Sequence, residues 1–416
     1  MGIDRRSVAK VSRLLVVLAL LVNVGCGGSS SLGGPLGSPS PSPQVDTASQ
    51  DYLLLLAKFP EDQQGEGLDW YFQTVGAQPI AYAFVLSSES LHYRASPTEE
   101  GRRRVRKAVR WLLDNIDLDR DGKPGWGFPD AWDAFGDGSV NPANHVYTIT
   151  TASVMLGFLD ALSLPNFWTL AEREEIRAAL AGVSLRWCRE IWQDTASGGY
   201  FWYSPATVDN IYTVNVSAMF LGALARILNE QRSALSASEA NLIQTRTRAA
   251  AEMVAATAQF RMGNPFWLYH ERDPISPNDL THHIYVLWGM ELYRASGVGP
   301  GLPWALEQSI ASVDAFWRDG TAHDFPQDVV YVGEQASWND RPAFLPGTSF
   351  MLAFYARWAD LPRTTQTFNY LVQAHGPIPD LHVWPLWFSN DTNFYPRYTS
   401  RALWGIAMRD FGWVLR

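Results

Sequence analysis

Two similar stretches of the sequence decide the fold: NHVYTITTASVMLGFL at 144–159 and DNIYTVNVSAMFLGAL at 209–224. Each begins with two polar residues, continues through Tyr and Thr, and runs into an apolar segment that ends in Leu-Gly-x-Leu. Tyr147 and Tyr212 are 65 positions apart, and the Thr, Leu, Gly and Leu positions match in the same register. Similar segments at a fixed interval indicate a repeat architecture.

Further copies of this pattern bring the number of predicted starts to six. A third begins with HHIY at 282–285, and one interval before the first copy lies Tyr82. Weaker counterparts begin near Gly347 and at Arg397. Each start opens an apolar helix, so six buried helices are predicted.

Amphipathic helices are predicted between the apolar ones, because apolar residues recur at i, i+3, i+4 and i+7 with charged residues opposite. They cover 99–114, 170–192, 238–259, 303–317 and 364–374. Helices that are apolar all round are best buried inside a ring of helices that have one wet face. The sequence predicts an all-α (α/α)6 toroid over residues 48–416, with irregular or β-hairpin loops at one end. An open solenoid is the alternative.

The first 25 residues are typical of a secretory signal peptide. Four basic residues precede the apolar run LLVVLALLV at 14–22, which is too short to span a bilayer. NVGC at 23–26 resembles a bacterial lipobox, with Asn23 where that pattern usually has Leu. The resemblance implies a lipid on Cys26 and a protein held at the bacterial membrane, in the periplasm or at the cell surface. A cleaved signal peptide that happens to contain a cysteine is the alternative.

Residues 26–47 are rich in Ser, Gly and Pro, which predicts a flexible tether. Cys188 is the only other cysteine. If Cys26 carries lipid, no disulfide forms and Cys188 is expected to be a buried small hydrophobe. The formal net charge of −9 argues against a nucleic-acid partner.

In a toroid, the starts of the inner helices meet at one end, where polar residues of the six starts collect. Helix N-termini carry partial positive charge, which favours an anionic ligand there. These polar residues are Asn144, His145, Asp209, Asn210, His282, His283 and Arg397. Ordinary helix capping is the alternative explanation for each Asn and Asp among them.

Aromatic residues are concentrated in the loops, where flat rings could stack on sugars. The candidates for substrate binding are Trp126, Trp132, Trp202 and Trp267. The alternative is that these rings plug the open end of the toroid.

The hairpin count, the wet outer helices and the aromatic loops resemble the six-hairpin carbohydrate-active enzymes. These include glycoside hydrolases, uronate polysaccharide lyases and the helical domain of glucuronyl C5-epimerases. NHVY at 144–147 also resembles the Asn-His-x-Tyr stretch on an inner helix of alginate lyases of this fold. The resemblance spans about residues 48–416 and implies a polysaccharide or oligosaccharide substrate.

A lyase or epimerase that acts at C5 of a uronate needs a group that neutralises the carboxylate, a base and an acid. The candidate base is His145, and the candidate acid is Tyr212 or Tyr285. Arg397 together with Asn144 or Asn210 is expected to neutralise the carboxylate, and all three, with His283, are candidates for substrate binding.

Two other functions stay open. An inverting glycoside hydrolase would use two carboxylates, for which Asp133 and Asp209 are the first candidates. A glycan-binding or surface-assembly lipoprotein would keep the toroid without the chemistry.

Neither the lyase or epimerase mechanism nor the hydrolase mechanism requires a cofactor. Asp117, Asp119 and Asp121, followed by Gly122, match the first half of an EF-hand loop, but the twelfth position is Phe128 rather than Glu. This predicts a structural calcium site, with a loop of Asx turns as the alternative.

Overall fold

The computed structural model describes residues 49–327, 338, 340–383 and 394–412, without the side chains of 273–276. The signal peptide, Cys26 and the tether lie outside these ranges, so export and lipidation stay predictions. The described helices are α1 (Gln50–Leu56), α2 (Pro79–Ala95), α3 (Glu99–Asp114), α4 (Thr148–Leu162), α5 (Leu170–Glu190), α6 (Val214–Glu230), α7 (Ala237–Ala256), α8 (Leu280–Ser296), α9 (Leu306–Asp314), α10 (Leu345–Trp358), α11 (Leu361–His375) and α12 (Pro396–Phe411).

Helices α2, α4, α6, α8, α10 and α12 form a closed inner ring, because each contacts the next and α12 contacts α2. Outside them, α3 packs on α2, α5 on α4, α7 on α6, α9 on α8 and α11 on α10. The sixth outer position, against α12, is filled by α1. The predicted (α/α)6 toroid is confirmed, and closure excludes the solenoid. The sequence pattern did not predict α1.

The inner helices are buried on nearly all sides, and small residues let them approach closely. A Cβ added to Gly289 of α8 would lie 1.8 Å from the backbone oxygen of Ala218 in α6. Only glycine fits at that crossing. Gly222 faces Gly289 across the same contact, so the Leu-Gly end of the repeat has a packing role.

Each of the six predicted starts lies within a few residues of the beginning of an inner helix, but the third copy is out of register with the first two. Helix α4 begins directly after Tyr147 and α6 begins two residues after Tyr212. Helix α8 begins at Leu280, five residues before Tyr285. Tyr285 therefore lies more than a turn inside its helix and is not equivalent to the other two tyrosines.

The outer helices begin at clear capping signals. Thr169 and Glu172 form a capping box at the start of α5, and Ser236 and Glu239 form another at α7. Each box satisfies two backbone N–H groups that the first helical turn leaves unpaired. Cys188 is buried in α5, and burial raises the pKa of its thiol to about 12, as expected for an inert hydrophobe.

Five antiparallel hairpins lie in connections that lead from an outer helix to the next inner helix. They are β1 (Glu66–Leu68) with β2 (Val75–Ala77), β3 (Trp192–Thr195) with β4 (Gly198–Phe201), β5 (Gln259–Arg261) with β6 (Asn264–Phe266), β7 (Leu268–His270) with β8 (Asp273–Pro277), and β9 (Trp317–Arg318) with β10 (Thr321–Ala322). The hairpins therefore border the end of the ring at which the inner helices begin. None of the described helices is long and apolar enough to cross a membrane.

Candidate active site

A cavity of about 70 Å³ lies at the end of the toroid where the inner helices begin. Five of the six inner helices supply part of its wall, and aromatic loop residues cover it. The lining residues are Ile80, Phe128, Trp132, Tyr147, Ile149, Thr150, Tyr203, Asn215, Val216, Tyr269, His282, Tyr285, Arg397 and Arg401. No aspartate or glutamate is among these described lining residues, whereas two arginines are.

Arg401 is the unusual residue of this cavity. It is 6% exposed, and no hydrogen bond or ion pair joins its side chain to the described residues. Its guanidinium lies 5.5 to 5.9 Å from the ring centres of Phe84, Phe350 and Tyr398. Burial lowers the pKa of Arg401, which reflects the cost of keeping this charge away from water.

Arg397 lies one turn before Arg401 on α12 and faces the same cavity. Its guanidinium stacks 4.1 Å from the ring centre of Phe128. Its Nη1 is 3.6 Å from Oδ2 of Asp69, which is fully buried and also accepts backbone N–H groups of Tyr71 and Phe72. Among the residues that the structure describes, Asp69 is the one carboxylate paired with either arginine, and the cavity favours an anion.

His282 and Tyr285 extend from α8 into the same cavity. Nδ1 of His282 is 2.8 Å from Oδ2 of Asp279, the residue that caps α8. Tyr285 is buried, and its hydroxyl has no hydrogen-bond partner among the described residues. Burial raises the pKa of this phenol, although Arg401 and Arg397 act in the opposite direction. Tyr285 is therefore protonated at neutral pH.

The predicted base, His145, does not line the cavity. Its Nε2 lies 2.8 Å from the hydroxyl of Ser204, which donates to Oδ2 of Asp209 at 2.6 Å. The same oxygen of Asp209 accepts from the amide of Asn141 at 2.7 Å. Burial lowers the pKa of His145, against the attraction of Asp209. His145 and Asp209 thus belong to a buried polar network beside the cavity that holds the loop, and Asp209 does not cap α6, whose N-cap is Thr213.

Tyr212 and His283 also point away from the predicted common site. The hydroxyl of Tyr212 is 2.9 Å from that of Thr257 and faces a separate cavity of about 300 Å³ beside α7. Nε2 of His283 lies 2.6 Å from the hydroxyl of Ser312 on α9. Burial lowers the pKa of His283 to about 3. The expectation that the candidate residues at the helix starts share one cleft is therefore wrong for Tyr212 and for His283.

The four candidate tryptophans were expected either to bind substrate or to plug the end of the toroid, and the structure places them differently. Trp126 and Trp267 are buried, and their indole N–H groups donate to backbone oxygens of Leu112 and Val254. These two rings plug the end of the toroid, and their placement corrects the expectation that they bind substrate. Trp202 is partly buried against the core and is not a lining residue. Of the four candidates, Trp132 alone lines the cavity.

The remaining candidates, Asp133, Asn144 and Asn210, have structural roles in loops. The carboxylate of Asp133 accepts the backbone N–H groups of Asp137 and Gly138. Asn144 adopts a left-handed conformation with φ of 66°, and its backbone N–H donates to Phe128. The side chain of Asn210 donates to that of Gln193. None of these three lines the cavity, so Asp133 and Asp209 do not form a carboxylate pair there.

The carboxylates of Asp117, Asp119 and Asp121 lie within 4.8 Å of one another. Backbone hydrogen bonds also hold this loop, because Gly122 donates its N–H to the carboxylate of Asp117 and Lys123 donates to Asp121 in an Asx turn. Burial and the neighbouring carboxylates raise the pKa of Asp119. Three carboxylates are part of the oxygen donor set that calcium takes, and Asp121 is also bound by Arg186 at 2.7 Å. This site lies apart from the cavity, so calcium would have a structural role.

Sequence reasoning missed Arg401, Asp69 and the role of Asp279. Arg401 carried a usable signal, because a residue four positions after Arg397 lies on the same face of a helix. Asp69 carried none, because it lies in the first hairpin connection, far from α12 in sequence.

Comparisons place this fold among known proteins. No protein-family model and no curated protein sequence matches the chain. A GH76 α-mannanase from Bacteroides thetaiotaomicron matches with a TM-score of 0.55 at 12% identity, over 88% of this chain and 97% of that one. An inactive variant of a GH76 α-1,6-mannanase from Salegentibacter, in complex with α-1,6-mannotriose, matches with a TM-score of 0.53 at 10% identity, over 87% and 98%. The cellobiose 2-epimerase of Bacillus thermoamylovorans matches with a TM-score of 0.53 at 12% identity, over 86% and 96%.

These neighbours are (α/α)6-toroid carbohydrate-active enzymes, and the expected resemblance to that group is confirmed. At these identities the match establishes the fold alone. Function has to be argued from the cavity.

Proposed function

We propose that this chain is an exported, lipid-anchored enzyme that acts on a polysaccharide at C5 of a uronate residue, as a lyase or an epimerase. The observation that carries the proposal is the arginine pair in the cavity, with Arg401 buried and without a carboxylate partner among the described residues. A buried cation is stable only when it is paired, so a ligand carboxylate is the natural counterpart. Arginine binds carboxylates through two parallel hydrogen bonds.

The chemistry follows from neutralising that carboxylate. When Arg397 and Arg401 bind the C6 carboxylate, the C5 proton becomes more acidic, because the negative charge that develops next to it is stabilised. In a lyase a base removes this proton, the C4–C5 double bond forms, and the C4–O bond breaks. The leaving oxygen takes a proton from an acid, for which the protonated phenol of Tyr285 is suited. In an epimerase, C5 is instead reprotonated from the opposite face.

Two observations weigh against a hydrolase of the neighbours' kind. The described lining residues contain no aspartate or glutamate, whereas inverting hydrolysis requires two carboxylates. In the Salegentibacter mannanase, replacing two consecutive aspartates by asparagine gives an inactive variant. The present sequence contains no two consecutive aspartates. The epimerase among the neighbours supports sugar epimerisation as a chemistry that this fold can host.

Export and anchoring are proposed from the signal peptide and the lipobox-like segment at 23–26. A tether of about 20 residues would reach on the order of 50 Å from the membrane. Such a position suits a polymer too large to enter the cell. Labelling with a radioactive fatty acid, compared between wild type and Cys26→Ser, tests the anchor directly. An unlabelled wild type would contradict it.

The function is tested by incubating the purified protein with polymers of mannuronate, guluronate, galacturonate and glucuronate, and with neutral mannan as a control. A lyase produces an unsaturated uronate, which absorbs ultraviolet light. An epimerase in D2O incorporates deuterium at C5 without that absorbance. New reducing ends without either signal would identify a hydrolase and overturn the proposal. Binding without turnover would identify a glycan-binding lipoprotein.

Arg401→Met is expected to abolish activity on whichever uronate polymer is the substrate. Arg110→Met is the matched control, since Arg110 is a half-exposed residue of the outer helix α3. It should retain full activity. Equal activity of wild type and Arg401→Met would remove the main support for the proposal.

A further inference from the structure

Resting on the function proposed above, we infer that His282, oriented by Asp279, is the base that removes the C5 proton. The pair stands at the start of α8, and His282 lines the same cavity as Arg397, Arg401 and Tyr285. The sequence alone favoured His145, which the structure places beside the cavity in a separate network.

Asp279 fixes the His282 ring through both of its oxygens. Oδ2 lies 2.8 Å from Nδ1 of the ring, and Oδ1 accepts the backbone N–H of His282 at 3.1 Å. One carboxylate thus holds the side chain and the backbone of the same residue. The ring of Tyr269 packs against His282 with 4.7 Å between centres, which further limits its rotation.

The hydrogen bond also determines which nitrogen carries the proton. An ionised carboxylate can only accept, so Nδ1 of the neutral imidazole bears the hydrogen and Nε2 has the lone pair. Nε2 has no hydrogen-bond partner among the described residues. A base needs this arrangement: a basic nitrogen at the cavity and a tautomer held by a second residue.

The charges around the pair support an ionised Asp279. Burial would raise the pKa of Asp279, but His282 and Arg341 outweigh this and hold it below its usual range. Asp324 is fully buried and bound to Arg341, and burial raises the pKa of Asp324 to about 8, so Asp279 is the carboxyl group that carries the negative charge here. Arg397 and Arg401 face it from the cavity side. When His282 takes a proton, the imidazolium therefore has the ionised carboxylate of Asp279 on one side and the substrate on the other.

The neighbouring histidine shows why the sequence could not separate the two. Successive residues of a helix point about 100° apart, so His283 is directed at α9 while His282 is directed at the cavity. Burial keeps His283 neutral, and Ser312 binds its Nε2. One histidine of the HH pair is a packing residue, and the other is the catalytic candidate.

The step balances as follows. Nε2 of His282 takes the C5 proton and becomes imidazolium, and the C5–H electron pair forms the C4–C5 double bond. The C4–O bond breaks, and the leaving oxygen takes the phenolic proton of Tyr285. The imidazolium then returns a proton to the tyrosinate through water, which restores both groups.

Two variants of the full chain test the inference. His282→Gln removes the base, and Asp279→Asn keeps a good helix cap while removing the negative charge. We expect His282→Gln to lower kcat on the identified uronate polymer by about 10²- to 10⁴-fold with little change in KM. Asp279→Asn should lower kcat by about 10-fold or more and change the shape of the pH–rate profile. His145→Gln, as the control, should retain activity. His282→Gln with more than a tenth of wild-type kcat would overturn the inference.

Nitrogen NMR of the histidine rings tests the pair without any substrate. The His282 signal, assigned by its loss in His282→Gln, should report hydrogen on Nδ1 in the wild type and a changed tautomer ratio in Asp279→Asn. Hydrogen on Nε2 in the wild type would refute the arrangement even if the enzyme were active. Wild-type protein without activity on any uronate polymer would instead refute the proposed function, and with it the role of base.

Discussion

Replacing Arg401 is expected to raise the stability of the protein and to abolish its activity, so one substitution separates the two properties. A desolvated ion costs several kcal/mol even after a protein relaxes around it. Three rings surround this guanidinium at 5.5 to 5.9 Å. At these distances, close to the roughly 6 Å limit of a cation–π contact, each ring returns nearer to about 0.5 kcal/mol than to 2 kcal/mol, so part of the desolvation cost is left. Arg401→Met places an apolar, flexible side chain among the same rings. We therefore expect a free energy of unfolding about 1–3 kcal/mol higher than in the wild type.

Arg397→Met is the matched comparison and should act in the opposite direction. Removing Arg397 leaves the buried carboxylate of Asp69 without its cation, although three hydrogen-bond donors remain. Leaving a buried charge unpaired destabilises by about 3–5 kcal/mol in closely paired cases. The 3.6 Å separation here makes a loss of about 2 kcal/mol more reasonable.

Chemical denaturation followed by tryptophan fluorescence measures both values, and calorimetry checks them as shifts of Tm of about 2 °C for each kcal/mol. A uronate oligosaccharide should raise Tm of the wild type and of neither variant. If Arg401→Met destabilises the protein as much as Arg397→Met does, Arg401 has a structural role and the reasoning from its burial is wrong.

Three further predictions concern other parts of the fold. The pKa of His283 is about 3 in the folded protein and about 6.5 when unfolded, so its contribution to stability is present above pH 6.5 and is lost as the pH falls towards 3. Between pH 7 and 5 the wild type should lose about 2 kcal/mol more unfolding free energy than His283→Gln, and equal losses would contradict the burial of a neutral ring. Millimolar calcium should raise Tm by a few degrees in the wild type but not in Asp119→Asn; no shift in either would leave the backbone hydrogen bonds as the full explanation of that loop. Trp132→Ala should cost clearly less stability than Trp126→Ala, for which about 3–5 kcal/mol is expected, and equal costs in denaturation would show that the loop carrying Trp132 is part of the main core.

The sequence predicted the inner and outer rings of helices because the apolar pattern of each helix is visible within its own segment of the chain. Each inner helix has an apolar surface on nearly all sides, and the capping residues Thr169 and Ser236 lie directly before outer helices. The sixth outer helix was missed because it comes from the opposite end of the chain. Its seven residues of QDYLLLL gave no amphipathic period of useful length.

The site was predicted less well, because side-chain direction depends on where a helix begins. A shift of one residue in the start of α8 exchanges His282 for His283 at the cavity. The repeat alignment placed Tyr285 level with Tyr147 and Tyr212, and no sequence pattern reports that α8 begins five residues before Tyr285. Arg397 does line the cavity, and the prediction of its position rested on its place at a helix start, which is a topological property.

The size of the cavity constrains how a sugar could reach the arginines. A volume of about 70 Å³ is well below the roughly 300–1,000 Å³ of ligand pockets, so a sugar ring has to displace part of the wall. Trp132 and Phe135 are the movable part. They belong to a small aromatic cluster separate from the main core, and their loop is joined to the neighbouring hairpin by the exposed pair Asp137–Arg272 at 3.0 Å. Such a pair is worth about 0–1 kcal/mol.

The aromatic rings of the main core, by contrast, cannot move without a large loss of folding free energy. Trp126 and Trp267 are held by hydrogen bonds to backbone oxygens in the last turns of the outer helices α3 and α7. Displacing the loop that carries Trp132 therefore costs far less than opening the ring itself. The energy for that displacement has to come from the ligand, and the pairing of a carboxylate with a desolvated guanidinium is the largest interaction that the cavity offers. A neutral sugar brings no such interaction, so the small volume and an arginine without a carboxylate partner among the described residues are the two features that support the proposed acidic substrate.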